Sequence, residues 1–95
     1  MFHVLIERHI AKGMLSTYEK NSRSALQQTC LEHGFVSGEL LIDDNDENHR
    51  FLLCKWRKKE NWERWYRSRD RMELMNTIIP ILAYPEKITV LTAAS

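Results

Sequence analysis

The chain has 95 residues, of which 43% are hydrophobic and 28% charged, proportions that are ordinary for one soluble globular domain. Its 14 basic and 13 acidic side chains leave a formal charge of +1, whereas nucleic-acid-binding domains usually carry a clear basic excess. These totals predict a single domain over residues 1–95 and exclude nucleic acid as an expected partner.

The N-terminal sequence and the cysteines indicate the compartment. The start, MFHVLIERHIAKG, has no basic leader before a long apolar stretch, so no signal peptide is expected. No apolar run approaches the length of a membrane span. Cys30 and Cys54 lack the spacing of a zinc site and are too few for a disulfide framework. We therefore expect a cytoplasmic protein that does not bind membranes.

The first predicted element is a strand over residues 3–10. Its β-branched residues Val4, Ile6 and Ile10 occupy even positions, which is the period of a strand with one apolar face. The other face then carries a mixed set: His3, Leu5, Glu7 and His9. We expect this mixed set to face the helices and the apolar row to form the outer face.

The spacing becomes helical from Met14, and Gly34 can end that helix in the left-handed conformation. Strands over 35–42 and 50–56 follow, joined by an acidic turn as a hairpin. The remaining elements are a helix over 58–67, a second helical stretch capped by Ser68, and a strand over 87–93.

The order βαββαβ is typical of a ferredoxin-like α+β fold, with a four-stranded antiparallel sheet and its helices on one face. The second face of the sheet then needs a cover, because a chain this short has no third layer to bury Val4, Ile6 and Ile10. A homodimer packed sheet against sheet is the expected solution.

Residues 61–71, NWERWYRSRDR, interleave three aromatic residues with four arginines. On a helix, Trp62, Trp65 and Tyr66 fall on one side and the first arginines fall on the other. Stacking on nucleic acid needs both on one surface, so the pattern favours a solvated basic face. Core packing is the expected role of Trp62, whereas Trp65 is expected either in the core or in a pocket wall.

Three segments resemble the antibiotic biosynthesis monooxygenase family: ERHIAKG, HGFVSGELL and KWRKKENWERWYRSRDR. The similarity covers nearly the whole chain, and its most specific part is the run of Trp56, Trp62, Trp65, Ser68 and Arg71. The resemblance implies a dimeric α+β barrel with a pocket between sheet and helices in each protomer. It also implies a monooxygenase that acts on small phenolic, quinol or polyketide-type substrates without metal, flavin or haem.

The haem-degrading branch of the family is not expected. Trp65 matches its tryptophan, but Glu7 stands where that branch has an asparagine, and Met75 where it has the histidine ligand. A cofactor-independent oxygenase needs an apolar cavity and a base instead. The candidate base is His9, which Glu7 could orient. The predicted substrate contacts are Leu5, Trp65, Tyr66, Arg71 and Met75, with Arg71 placed to hold an oxyanion.

The same residues have structural explanations. His9 and Glu7 could simply bond within the sheet, and Arg71 could pair with Asp70 or Glu73. No metal is expected, because His3, Glu7 and His9 on one strand cannot surround an ion without ligands from elsewhere, and His49 is predicted to be a solvated turn residue. The alternative function is a non-catalytic or non-oxygenase protein that binds a small apolar or aromatic ligand.

Overall fold

The computed structural model describes residues 1–94. The four strands are β1 (Phe2–His9), β2 (Phe35–Asp43), β3 (Asp46–Trp56) and β4 (Lys87–Thr92). The helices are α1 (Leu15–Thr29), α2 (Lys59–Tyr66) and α3 (Arg69–Met75), followed by a 3-10 turn over Ile79–Ile81. The predicted βαββαβ order is confirmed, with the second helical segment divided in two. Across residues 1–94, no helix combines the length and the hydropathy that crossing a bilayer requires.

The sheet has the strand order β2-β3-β1-β4, and every neighbouring pair is antiparallel. This arrangement is the ferredoxin-like α+β fold that the sequence predicts. It puts β1 and β3 in the centre, so the residues of β1 are flanked on both sides. The central strands supply Val4, Ile6, Cys54 and Trp56 to the core.

The apolar row of β1 faces the helices. Val4, Ile6 and Ile10 are at most 4% exposed and belong to the two clusters of the core. The prediction that this row forms the outer face is therefore wrong. Burying a row of β-branched residues stabilises the fold most on the face that the chain's own helices cover, because that face is removed from water.

Two local features depart from the predicted boundaries. Helix α1 ends at Thr29, and the chain then turns to Gly34, which has the predicted left-handed φ of 85°. Strand β3 begins at Asp46, four residues earlier than predicted, so His49 is a strand residue rather than a turn residue. Ser68 caps α3 as predicted, its Oγ accepting a hydrogen bond of 3.1 Å from the Arg71 amide.

Candidate functional site

A cavity lies between the helices and the helix-covered face of the sheet. It has a volume of about 30 Å³, which is the share of one water molecule in the liquid. Its apolar wall comes from strand β3 and from helices α1, α2 and α3. The residues of this wall include Leu26, Leu52, Trp56, Trp62, Trp65, Leu74 and Met75.

Two arginines share one carboxylate beside this cavity. Arg8 lies in the buried row of β1, and its Nε donates to Glu86 at 3.0 Å. Arg71 from α3 donates to the other oxygen of Glu86 at 2.6 Å. All three side chains are at most 13% exposed. Two guanidinium groups on one carboxylate leave a net positive charge at the cavity, which favours an anion.

Further contacts fix each arginine. Arg8 donates to the hydroxyl of Tyr18 at 3.2 Å. Burial lowers the pKa of Arg8, but the interactions with Tyr18 and Glu86 outweigh it, so that the pKa is raised and the group stays charged. The guanidinium of Arg71 stacks over the ring of Tyr66, 4.9 Å from its centroid, and lies 5.8 Å from that of Trp62. Both cations are therefore held in place before any ligand arrives.

The indole of Trp56 presents an unused donor. Trp56 is fully buried and lines the cavity, and its Nε1–H has no hydrogen-bond partner among residues 1–94. Leaving a buried donor unsatisfied costs about 1–3 kcal/mol. A water molecule or a ligand oxygen in the cavity would remove that cost, which makes this donor a specific feature of the site.

Cys54 and Met75 complete the cavity wall. Burial raises the pKa of the Cys54 thiol to about 12, although Arg8 and Arg71 oppose the shift. At neutral pH this thiol is therefore neither a nucleophile nor a metal ligand. Met75 is buried, and its sulfur lies 3.8 Å from an Nη atom of Arg8. Its flexible side chain fills part of the space between the helices and the sheet, and a change of rotamer would free that space.

A second groove adjoins the cavity between α1 and strands β2 and β3. It has a volume of about 180 Å³, and it shares Ser22 and Leu40 with the lining of the first. Leu40 is 43% exposed, so its side chain has room to rotate towards solvent. The groove is therefore the side from which the cavity is most easily enlarged.

The structure brings together three of the predicted site residues. Trp65, Arg71 and Met75 all line the cavity. Tyr66 is 47% exposed and does not line the cavity, but it packs against two residues that do, Arg71 and Trp62. Trp62, which the sequence favoured as a core residue, is buried in the core and also lines the cavity.

Leu5, Glu7 and His9 lie on the opposite face of the sheet, which we call the open face. The burial of β1 alternates strictly, with every odd residue half-buried and every even residue buried. The prediction that the odd residues face the helices is therefore wrong, because that side is filled by the β-branched row. Within one protomer, His9 and Trp65 cannot contact the same ligand across the sheet.

The open face holds a cluster of its own. His49 of β3 is paired with His9 of β1, and their rings stack 4.2 Å apart. One nitrogen of His49 lies 2.9 Å from Asp43 and the other 2.5 Å from Glu7. The hydrogen bond with Asp43 is the main cause of a raised pKa for His49, with Glu7 adding to it. Ligand atoms of Glu7, His9 and His49 lie within 4.8 Å of one another, so these three residues could hold a metal ion.

Arg8, Glu86 and the Trp56 donor were not predicted as site residues. The sequence did carry a signal for Arg8, because it shares the even positions of β1 with Val4 and Ile6. A charged side chain in a buried row needs a partner of opposite charge. Glu86 is 78 residues away along the chain, and no spacing pattern identifies a partner at that distance.

Comparison with known proteins agrees with this architecture. The profile of the family described as "Antibiotic biosynthesis monooxygenase" matches residues 1–75. No curated protein sequence matches the chain.

Solved structures match over almost the whole length. One described as an antibiotic biosynthesis monooxygenase has a TM-score of 0.90 at 15% identity, with 100% of both chains covered. PA3566 from Pseudomonas aeruginosa gives 0.85 at 18% identity, covering 99% of this chain and 94% of the other. SnoaB from Streptomyces nogalater, a cofactor-independent oxygenase, gives 0.86 at 14% identity with the same coverage. At such identities these structures establish the shared fold.

Proposed function

The chain belongs to the antibiotic biosynthesis monooxygenase family, and we propose that it oxidises a small phenol, quinol or polyketide-type compound with O₂ and without a cofactor. The similarity to SnoaB, described as a cofactor-independent oxygenase, supports this chemistry. The proposed site is the cavity between helices and sheet.

The observation that carries the proposal is the combination of two cations and one unused donor in an aromatic cavity. Arg8 and Arg71 have one carboxylate between them, and the Trp56 Nε1–H has no partner among the described residues. A phenolate offers a flat ring for the apolar wall and an oxyanion for the two arginines. Trp56 pairs with Phe2 at the other end of β1 from Arg8, so its donor would meet a second oxygen of a larger ring system. Preorganised donors of this kind are most effective where water is excluded.

The chemistry then needs little else from the protein. Binding the anion favours loss of the phenolic proton, and the electron-rich phenolate itself reduces O₂. For a simple phenol, one oxygen atom enters the ring as the second carbonyl of a quinone, and the other leaves as water. Phenol and O₂ on one side balance quinone and water on the other. The residues proposed to hold the oxyanion are Arg8 and Arg71.

A ring needs more room than about 30 Å³, because ligand pockets usually measure about 300–1,000 Å³. We infer that binding opens the cavity towards the adjoining groove, with Leu40 rotating outward and Met75 changing rotamer. Both side chains can move without breaking a backbone hydrogen bond. Substitution of Leu40 by Trp should therefore block binding, whereas Leu40→Ala should ease it.

We also propose a homodimer formed through the open face. The sequence argument for a dimer assumed that Val4, Ile6 and Ile10 form the uncovered face of the sheet. It does not apply, because the helices cover these residues. The open face nevertheless carries its own apolar residues, among them Leu5, Leu41, Phe51, Leu53 and Leu91. Leu41 is 39% exposed and Leu91 is 40% exposed. A second copy would cover them, as in the dimeric barrel that the family resemblance implies.

Oxygen uptake tests the proposal. Purified protein is assayed with an oxygen electrode against anthrones, naphthols and benzoquinols, beside Arg71→Met, Trp65→Phe, His9→Ala and the open-face control His3→Ala. We expect saturable uptake that falls about 10²-fold in Arg71→Met, the usual effect of removing one oxyanion donor, and that is unchanged in His3→Ala.

A loss of uptake confined to His9→Ala would contradict this placement and move the reaction to the open face. A second candidate function, binding of a small aromatic ligand without turnover, is favoured by the small volume of the cavity. Saturable binding with no oxygen uptake would support that candidate against the oxygenase.

A further inference from the structure

The open-face cluster has the composition of a metal site. It consists of Glu7, His9 and His49, with Asp43 as a fourth member behind His49. Imidazole and carboxylate together suit borderline divalent transition-metal ions such as Zn²⁺. The sequence argument against a metal was that β1 alone cannot surround an ion. Strand β3 supplies the missing ligand, because His49 is the direct cross-strand partner of His9.

The hydrogen bonds around His49 leave room for a cation. Its Nδ1 is 2.9 Å from Asp43, an acceptor, so the proton of the neutral ring belongs on this nitrogen. The Nε2 lone pair then faces a Glu7 oxygen only 2.5 Å away. Either a proton on Nε2, which the raised pKa of His49 favours, or a metal ion at that nitrogen would join the two groups. A carboxylate on one side of a histidine and a metal on the other is a common arrangement in metal sites.

The distances are close to those of a three-ligand site. With bonds of about 2.0–2.1 Å, the ligands of a tetrahedral Zn²⁺ are about 3.3 Å apart. Here one imidazole nitrogen lies 2.5 Å and the other 3.9 Å from the same Glu7 oxygen. The three ligand atoms lie within 4.8 Å of one another, so side-chain rotations would shorten the longest separation by at most about 1.5 Å. They would also tilt the stacked rings of His9 and His49 so that both point to one ion.

Burial and charge also suit a cation. The side chains of Glu7, His9 and His49 are 17–39% exposed in the single chain, so an ion can reach them before a second copy covers the open face. Glu7 and Asp43 together supply two negative charges. Lys87 is the cross-strand neighbour of Glu7, but it is exposed and free to extend into solvent. Three protein ligands would leave the fourth position open for water.

We propose that Glu7, His9 and His49 bind a divalent transition-metal ion of the Zn²⁺ type on the open face, with Asp43 orienting His49. This site is separate from the proposed oxygenase pocket, which lies across the sheet. The proposed oxygenase reaction does not require a metal at this site. The metal proposal and the oxygenase proposal can therefore fail independently.

Zn²⁺ titration of the full chain, freed of metal with a chelator, tests the proposal by calorimetry. We expect one ion per chain, with affinity falling at least tenfold in His49→Ala and in His9→Ala. Asp43→Asn should lower the affinity by about 10- to 100-fold, the usual effect of removing an orienting carboxylate. His3→Ala, on the same face, and His33→Ala, exposed elsewhere, serve as matched controls and should bind as the parent does.

Co²⁺ gives a second readout, since its ligand-field absorption reports nitrogen and oxygen ligands directly. Excess Mg²⁺ should displace neither ion, because Mg²⁺ prefers an octahedral set of oxygen ligands. The proposal is overturned if no one-to-one binding occurs, or if His49→Ala binds Zn²⁺ as tightly as the parent. Loss of binding in His3→Ala or His33→Ala would also overturn it.

Discussion

Replacing Glu86 with Gln removes the charge that Arg8 and Arg71 share while keeping the size of the side chain. Both guanidinium groups are at most 11% exposed, and Glu86 itself is 13% exposed. Removing one partner from a buried ion pair costs about 3–5 kcal/mol. Glutamine retains one oxygen acceptor, so the lower end of that range, about 3 kcal/mol, is the expected loss in the free energy of unfolding.

Urea denaturation at one fixed protein concentration measures this loss. With an m value of about 2 kcal/mol/M, about 3 kcal/mol lowers the midpoint by roughly 1.5 M. The matched control is Glu63→Gln, which breaks the exposed pair of Glu63 and Arg67 at 3.8 Å on α2. Such surface pairs contribute about 0.3–0.5 kcal/mol. If Glu86→Gln and Glu63→Gln shift the midpoint equally, the argument that the arginines are desolvated and mutually dependent is refuted.

Two further predictions concern the thiols and the glycines. At pH 8 a thiol reagent should modify the exposed Cys30 quickly and Cys54 only after unfolding, because burial raises the pKa of Cys54 to about 12; rapid labelling of both in the native protein would contradict this. Gly34→Ala should cost about 2–4 kcal/mol, since the new Cβ would lie 2.6 Å from that of Asn61 in addition to the positive φ. Gly13 also has a positive φ but open space around it, so Gly13→Ala should cost only about 1 kcal/mol by the same denaturation assay. Equal losses in the two variants would argue against the close packing at Gly34.

The fold was predictable from local patterns. The alternation in β1, the acidic turn before β3 and the cap at Ser68 each depend on a few neighbouring residues, and each pattern predicts an element that the structure contains. The predicted boundaries were less accurate, because β3 already begins within the acidic segment, at Asp46, and includes His49. Polar residues there are compatible with a strand once they bond to neighbouring side chains, as His49 does with Asp43.

The site was only partly predictable. Trp65, Arg71 and Met75 line one cavity, as a helix period predicts for residues that share a face, while their role as substrate contacts stays a prediction. The face of β1 was assigned wrongly, because alternation identifies two sets of residues but not which set the helices cover. Arg8 belongs to the even set. Its presence there favoured neither face, because its partner Glu86 lies far along the chain. Long-range ion pairs of this kind have no signature in sequence spacing.

The most direct test of the proposed pocket is the response of the three indole N–H signals in a ¹⁵N–¹H NMR spectrum to a naphthol. The chain has three tryptophans, and single Trp→Phe variants assign Trp56, Trp62 and Trp65. A naphthol bound in the cavity should shift the indole signals of Trp56, Trp62 and Trp65, because all three line it. Unchanged indole signals, with shifts confined to the backbone amides of Leu5 and His9, would contradict the account and place the ligand on the open face.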